Sequence, residues 1–454
     1  MEYYELNPNV ILRFEFFGGL LVNTLTNDEY ELDLANTIFL KCLKRGFDVK
    51  EAYKIVDNII ENKDYKIYLN EFVTEHLIRK INRINKKPDY DDFVKQTNED
   101  IKSITNIKHL SFPKQVSLYL TSACQLNCIF CFYDNKRHIF KKSVSADNWI
   151  KLINDLKKYG VMYISLLGGE PTLYKDINKI LKCLDDLKIK STITTNGYMM
   201  KQSTFNIICN SKYITPTISL QSINDYTNKY LMGINSFYAD NIVKRFIDNG
   251  KVPRINTVIT NQTIGELCDM VDYCVKNKIT EFYTDVYVEN SGNENLKSHT
   301  YAEYKDIKSQ IEKYIKKKGY EDKINYQLQG CLLYSAYNSD EEYANLSSYE
   351  TIKYGCEGGH TKIEIMPNGD VYPCVMFSHS QFDYDNAFKK NIKDIWYNSK
   401  YLNKLRNNKC EYSSCLNCKY YKFCNGGCPA IILNSKKSII KEADDRCQIL
   451  ISKK

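Results

Sequence analysis

Apolar residues recur along this chain in two rhythms, and the change between them divides it. Near the N-terminus, "VILRFEFF" (10–17) reads as a strand. "GLLVNTLTNDEYELD" (19–33) reads as a hairpin with Thr26, Asn27 and Asp28 in its turn. "LANTIFLKCLKRG" then takes up helical spacing and stops at Gly46. "DVKEAYKIVDNII" predicts a second helix with Asp48 as N-cap, and "NEFVTEHLIRKINRI" (70–84) a third. Strands followed by helices predict a small winged-helix unit over residues 1–85. Residues 86–112 are polar without a clear period and read as a linker.

Across 113–300 strands alternate with helices. "QVSLYL", "VMYISLL", "KSTITT", "TPTISL", "RINTVIT" and "EFYTDVYV" are the six strands, and helical patterns separate them. That alternation predicts an α/β fold whose parallel sheet is open or partly closed into a barrel. Ligands of such sheets gather at the carboxyl ends of the strands. Four polar or thiol-bearing stretches fall there: "TSACQLNCIFCFYDN", "GGEP", "TNG" and "SLQS". Residues 301–355 open with a charged helix and read as a bridging helical region. Residues 356–454 are rich in cysteine and short of long elements, so bound metal would have to supply the core they lack.

Composition changes this picture at one point. Apolar content of 43% and a net charge of +8, from 63 basic and 55 acidic residues, are ordinary for a globular chain of 454 residues. The lysines lie scattered beside Asp and Glu, so no nucleic-acid groove is expected. No apolar run reaches the roughly 18 residues of a membrane span, and "MEYYELNPNV" lacks the character of a secretory signal. A cytoplasmic protein with no membrane partner is expected. The seventeen cysteines are the outlier. In a long chain without a signal, clustered thiols point to metal rather than to disulfides. Cys42, Cys183, Cys209, Cys268 and Cys274 stand singly in apolar helical patterns and read as small core residues.

Cys124, Cys128 and Cys131 are spaced C-x3-C-x2-C. Structural zinc takes four ligands, and only His138 lies near enough in sequence to complete such a set. An iron–sulfur cube also takes four, one per iron, so three thiols would leave one iron open to a ligand. The flanking Phe130, Phe132 and Tyr133 would shield a cluster and offer a face to a purine ring.

A C-x3-C-x-aromatic-C stretch after the first strand of a β/α barrel resembles the radical S-adenosylmethionine (SAM) enzymes. The resemblance implies a partial (β/α)6 barrel, a 4Fe–4S cluster on Cys124, Cys128 and Cys131, and SAM chelating its fourth iron. Reductive cleavage of SAM would then give a 5′-deoxyadenosyl radical that abstracts hydrogen from carbon. On the same footing Phe130, Gly168, Gly169, Glu170, Thr195, Asn196, Ser219 and Gln221 become cofactor-binding candidates. Gly168 and Gly169 admit close backbone approach, and Glu170 would accept from the methionyl ammonium. Many family members carry Asp where Gln221 stands. A plain reading also exists for these polar residues, as helix caps.

The tail reads Cys356-x12-Gly369-x4-Cys374, then Cys415-x2-Cys418-x5-Cys424-x3-Cys428, then Cys447. This pattern is similar to the SPASM domain of radical enzymes that modify peptides and proteins. "MPNGDVYPC" supplies a hairpin with its turn at Asn368 and Gly369. The resemblance implies two auxiliary 4Fe–4S clusters, three in all. Cys415, Cys418, Cys424 and Cys447 would close one; Cys356, Cys374 and Cys428 would hold three corners of the other. Cys331, Cys410 or His360 would supply its last corner, or that corner stays open. A structural zinc tail is the plain alternative.

Residues 8–80 resemble the PqqD-like winged-helix domains that bind a leader peptide as an added strand. Together the three resemblances imply a maturase of a ribosomally made precursor peptide, of the sactipeptide or ranthipeptide type. Its expected product is a cysteine thioether crosslink, and its expected electron donor is a ferredoxin or flavodoxin. The rival readings are carbon–carbon peptide cyclisation, formylglycine formation on a sulfatase, a radical enzyme acting on RNA, and a zinc-stabilised DNA-binding regulator.

Overall fold

The computed structural model describes all residues except 83–87, 106, 134–138, 141–143, 289–294, 331–345, 378–381, 436–437 and 448–454. His138 and Cys331 therefore lie outside the described residues. The chain forms two compact units. One comprises Met1–Lys114 with Gly160–Met162, the other Gln115–Tyr159 with Tyr163–Lys454.

The first unit runs β1 (Tyr3–Leu6), β2 (Val10–Glu15), β3 (Gly18–Asn23), β4 (Asp28–Leu32), α1 (Leu34–Arg45), α2 (Val49–Ile59), α3 (Leu69–Thr74), β5 (Ile78–Ile81) and α4 (Tyr90–Ile104). β2, β3 and β4 form the expected antiparallel meander. The Asp33 side chain caps α1, and Gly46 ends it with a left-handed φ of 105°. A capping box of Asp48 and Glu51 opens α2. Two expectations fail. The third helix stops early, because His76 turns left-handed at φ 53° and the Leu77 N–H closes on the Phe72 carbonyl. The chain then runs as β5, antiparallel to β1. The supposed linker contains α4, capped by Asp89. Phe93, Thr97 and Ile104 are its buried stripe, and Phe93 packs 5.0 Å from the Phe47 ring. A fully buried ion pair, Arg13–Glu15 at 2.7 Å, ties segment 111–113 to β2 through Ser111 and the Pro113 carbonyl.

The second unit is built on one sheet. Its strands are β6 (Gln115–Tyr119), β7 (Tyr163–Leu167), β8 (Lys190–Thr195), β9 (Ile214–Ser219), β10 (Arg254–Ile259), β11 (Glu281–Val286), β12 (Asn325–Gln329), β13 (Lys362–Ile365) and β14 (Val371–Tyr372). The spatial order is β12-β11-β10-β9-β8-β7-β6-β13-β14, parallel throughout except for β14. The six expected strands lie side by side in chain order. β12 extends them from within the region expected to be only helical, and the tail adds β13 and β14. Val116, Leu118, Ile164, Leu166, Ile193, Ile218 and Ile255 are buried. They alternate with polar neighbours such as Ser165, Thr192 and Asn256, as a strand period of two requires. The β13–β14 hairpin turns at Gly369, φ 93°, where a Cβ would strike the Phe388 ring.

Candidate active site

The Cys124–Cys131 stretch leaves the carboxyl end of β6 and is held there by the neighbouring strand ends. Gly169 N–H donates to the Thr121 carbonyl at 2.8 Å, and Glu170 N–H to the Ala123 carbonyl at 2.7 Å. The approach is too close for a side chain. A Cβ on Gly169 would sit 2.3 Å from the Ala123 oxygen, and one on Gly168 (φ 145°) 2.4 Å from the Thr121 oxygen.

Glu170 is almost fully buried. One carboxylate oxygen accepts from Thr172 N–H (3.1 Å), the Thr172 hydroxyl (2.6 Å) and the Thr195 hydroxyl (2.7 Å); the other accepts from Asn196 N–H (2.9 Å). Burial pushes its pKa up, and those donors pull against the shift. The carboxylate thus binds the end of β7 to the end of β8. Asn196 in turn accepts from Gln125 Nε2 at 3.1 Å, which also reaches the Tyr198 carbonyl at 2.7 Å. Asn196 Nδ2 stands 4.0 Å from Cys124 Sγ, and Leu126 N–H points at the same sulfur at 3.4 Å. Cys124, Cys128 and Phe130 pack against an apolar cluster of Leu126, Leu231, Met232, Tyr287 and Leu296. Cys131 faces a second cluster containing Tyr119 and Tyr133.

Ser219 ends β9 in register with Asn256. Gln221 is buried, and its Oε1 accepts from Val258 N–H at 2.7 Å. Gln125 Oε1, on the Cys124 loop, is buried without a donor. A glycine cradle with an unpaired amide acceptor on the adjoining loop suits a ligand that carries an ammonium group. The thiols suit iron: sixteen cysteines among the described residues form no disulfide, and the three of this stretch are half-buried, Cys124 beside the Leu126 N–H. Among the described residues no three His, Cys, Asp or Glu side chains gather round a single-ion point; a cube spreads its ligands over four irons.

The tail thiols fall into two neighbourhoods. Cys415 lies in electrostatic reach of Cys410, Cys424 and Cys447, and burial followed by those thiols pushes its pKa up to about 12. Cys374 and Cys428 pack against the cluster that also receives Cys131. The Cys356 loop passes beside Cys374: a Cβ on Gly358 would be 3.5 Å from Cys374 Cβ. Cys410 is completely buried, in electrostatic reach of Cys415, with its Sγ 3.6 Å from the Glu442 carbonyl, so it neighbours the second group of thiols. His360 stays near Cys356 through a backbone hydrogen bond. Its imidazole is held down to about 4 by burial and then by the Arg406 guanidinium.

Sequence reasoning missed several residues here. Gln125 carries no spacing signal. Tyr119 donates to Glu364 at 3.0 Å, and that same carboxylate oxygen accepts from Val375 N–H at 2.9 Å beside Cys374. Asn256 donates to Asp285 at 2.8 Å, and burial raises the Asp285 pKa. Asp285 is in register with Val258, which packs against the Cys124 cluster.

A thiol trio at the mouth of a parallel β/α sheet, with a ligand cradle beside it and a thiol-rich tail in the same sheet, defines an iron–sulfur enzyme. Comparison with known proteins is specific. Residues 118–274 match the radical SAM superfamily, and residues 356–419 match an iron–sulfur cluster-binding domain, SPASM. Streptococcus suis SuiB bound to the precursor peptide SuiA is 31% identical, covering 99% of this chain and 100% of that one at a TM-score of 0.85. SuiB bound to S-adenosylmethionine is 30% identical over 98% of this chain and 100% of that one, with TM-score 0.85. The PqqA peptide cyclase of Rhizobium meliloti (strain 1021) is 21% identical over 70% of this chain and 82% of its own. The chain belongs to the radical SAM superfamily, and 4Fe–4S clusters and SAM come with that membership. Among the described residues no helix is long and apolar enough to cross a membrane.

Proposed function

We propose that this enzyme is a cytoplasmic maturase that crosslinks a ribosomally made precursor peptide. The observation that carries the proposal is the full-length likeness to SuiB in complex with its precursor peptide, which takes in the N-terminal unit as well as the barrel. That unit would receive the leader of the precursor along its three-stranded sheet, by strand addition. Cys124, Cys128 and Cys131 would hold the SAM-binding cluster. Gly168 and Gly169 would let the cofactor lie against the backbone, Gln125, Asn196, Ser219 and Gln221 would contact its polar groups, and Phe130 would wall its ring. Glu170 and Thr195 would hold these strand ends in place. Cys356, Cys374 and Cys428 would carry one auxiliary cluster, and Cys415, Cys418, Cys424 and Cys447 the other. When bound, the cluster and SAM supply a 5′-deoxyadenosyl radical able to take hydrogen from an unactivated carbon. A ferredoxin or flavodoxin would supply the electron.

The bond we assign is a thioether between a peptide carbon and a cysteine sulfur. Likeness to PqqA peptide cyclase favours a second reading, closure between two carbons. One experiment separates them. The reconstituted enzyme is incubated anaerobically with SAM, reductant and any short, cysteine-containing peptide encoded near its gene, and the product is fragmented before and after thiol alkylation. A product lighter by two hydrogens with one cysteine resistant to alkylation supports the thioether. The same mass with every cysteine alkylated supports the carbon–carbon bond. SAM turnover with no change in peptide mass refutes both.

A further inference from the structure

The segment before the last cysteine, Asp444-Asp445-Arg446-Cys447, carries a charge pair that the reading above does not use. Asp444 is 1% exposed. Its Oδ2 accepts from Cys428 N–H at 3.0 Å and from Arg446 Nη2 at 2.8 Å; its Oδ1 accepts from Arg446 Nε at 3.1 Å. Its backbone is engaged as well: N–H to the Gly426 carbonyl at 2.8 Å, and carbonyl from Cys447 N–H at 3.1 Å. Arg446 Nη2 also donates to the Tyr301 hydroxyl at 2.9 Å, and its guanidinium stands 5.2 Å from the Tyr301 ring centre. Gly427, at φ 108°, has no room for a side chain, because a Cβ there would be 2.2 Å from Asp444 Cβ. The carboxylate is thus pressed onto the chain between Cys424 and Cys428. Arg446 and Tyr301 both lie within electrostatic reach of Cys428.

Asp444, one half of a buried ion pair, therefore bonds the backbone N–H of a cysteine from each auxiliary set, Cys428 of the first through its carboxylate and Cys447 of the second through its carbonyl. As a tie the pair holds both loops. As a pair of charges it does more, since reduction of an iron–sulfur centre adds one negative charge to a poorly screened interior. We propose that Arg446 and Asp444 set how readily the centre held by Cys428 accepts an electron, the guanidinium favouring its reduced form and the carboxylate opposing it. They act on the centre by their charge and do not ligate it, and the inference rests on the cluster assignment above.

The two charges predict shifts of opposite sign. The test uses the full chain reconstituted with iron and sulfide, with Cys124, Cys128 and Cys131 changed to Ala so that only the tail centres respond. Midpoint potentials are read by EPR-monitored titration for the parent, Arg446→Gln, Asp444→Asn and Arg446→Lys. Arg446→Gln is expected to lower the potential and Asp444→Asn to raise it. Each should change the reduced-to-oxidised ratio at fixed potential about tenfold, which is about 59 mV for one electron. Arg446→Lys should stay near the parent. Shifts in the same direction, or no shift in either, overturn the inference. So does loss of iron from both neutral variants, which would leave only a structural tie. A parent protein without iron and sulfide instead refutes the cluster assignment itself.

Discussion

Gly169→Ala is the sharpest test of the cradle. The new Cβ would meet the Ala123 oxygen at 2.3 Å and the Ser122 oxygen at 2.6 Å, both backbone atoms that cannot rotate away. The "GGEP" segment must retreat from Thr121–Ala123, stretching the 2.8 Å and 2.7 Å hydrogen bonds that join them. Each such bond is worth about 1 kcal/mol, and overpacking adds about 1–3 kcal/mol. A total of about 3–5 kcal/mol, felt where SAM must lie, corresponds to roughly 150- to 5,000-fold weaker binding. Isothermal titration of SAM into anaerobic reconstituted enzyme measures it. Gly265→Ala is the control: it has no atom within 4 Å of its Cβ and should bind as wild type. Equal SAM affinity for Gly169→Ala and wild type, with iron content matched, would falsify the assignment of this approach to the cofactor.

Changing Cys124, Cys128 and Cys131 together to Ala should take about twelve irons per chain down to about eight, because a 4Fe–4S cube holds four; anaerobic iron and sulfide assays read this, and an unchanged count refutes it. Phe93→Ala should cost the first unit about 3–5 kcal/mol, for the side chain is 2% exposed between α4 and the domain core. Urea unfolding and hydrogen exchange on residues 90–104 would show it, and wild-type protection there would contradict the packing. His360 has a folded pKa of about 4 against an ordinary 6.5. The unfolded chain therefore binds a proton that the folded chain refuses between those values, and stability falls as pH drops from 6.5 towards 4. His360→Gln should flatten that fall in the metal-free protein by about 1–3 kcal/mol, and identical pH profiles would rule it out.

Spacing carries far in this chain where chemistry is local. The thiols of both motifs, the glycine pair and the β13–β14 turn can be read because a cluster, a close approach and a tight turn each demand residue types at fixed intervals. What spacing hides is anything completed from elsewhere in the chain. α4 buries only a thin stripe, Phe93, Thr97 and Ile104, flanked by half-buried Val94 and Ile101 among charged and polar positions, so its period shows only against the core it covers. β5 looks like the end of a helix because its pairing partner, β1, lies more than seventy residues upstream. Gln125, Glu364 and Asp444 act by bonding to distant backbone or side chains, and a polar residue without its partner in view looks like surface. Glu170 reads as a cofactor contact from its motif; the motif does not show that its carboxylate also joins the ends of β7 and β8.

The strand order explains why the tail belongs to the barrel. β13 pairs in parallel with β6, the strand that delivers the thiol trio, with Lys362 opposite Gln115 and Ile365 opposite Leu118. β6 is therefore an interior strand only because the tail covers its second edge. The bond from Tyr119 to Glu364 and on to Val375 N–H runs across this pairing, from the root of the Cys124 loop to the residue after Cys374. A chain cut after residue 355 loses more than its auxiliary thiols. It bares the polar edge of β6 and frees the Tyr119 hydroxyl at the base of the Cys124 loop. The truncated protein should reconstitute fewer than four irons, whereas a full-length chain with all eight tail cysteines changed to Ser should keep about four. If the truncated chain kept four irons and bound SAM as tightly as the cysteine-to-serine chain, the tail would be an independent module.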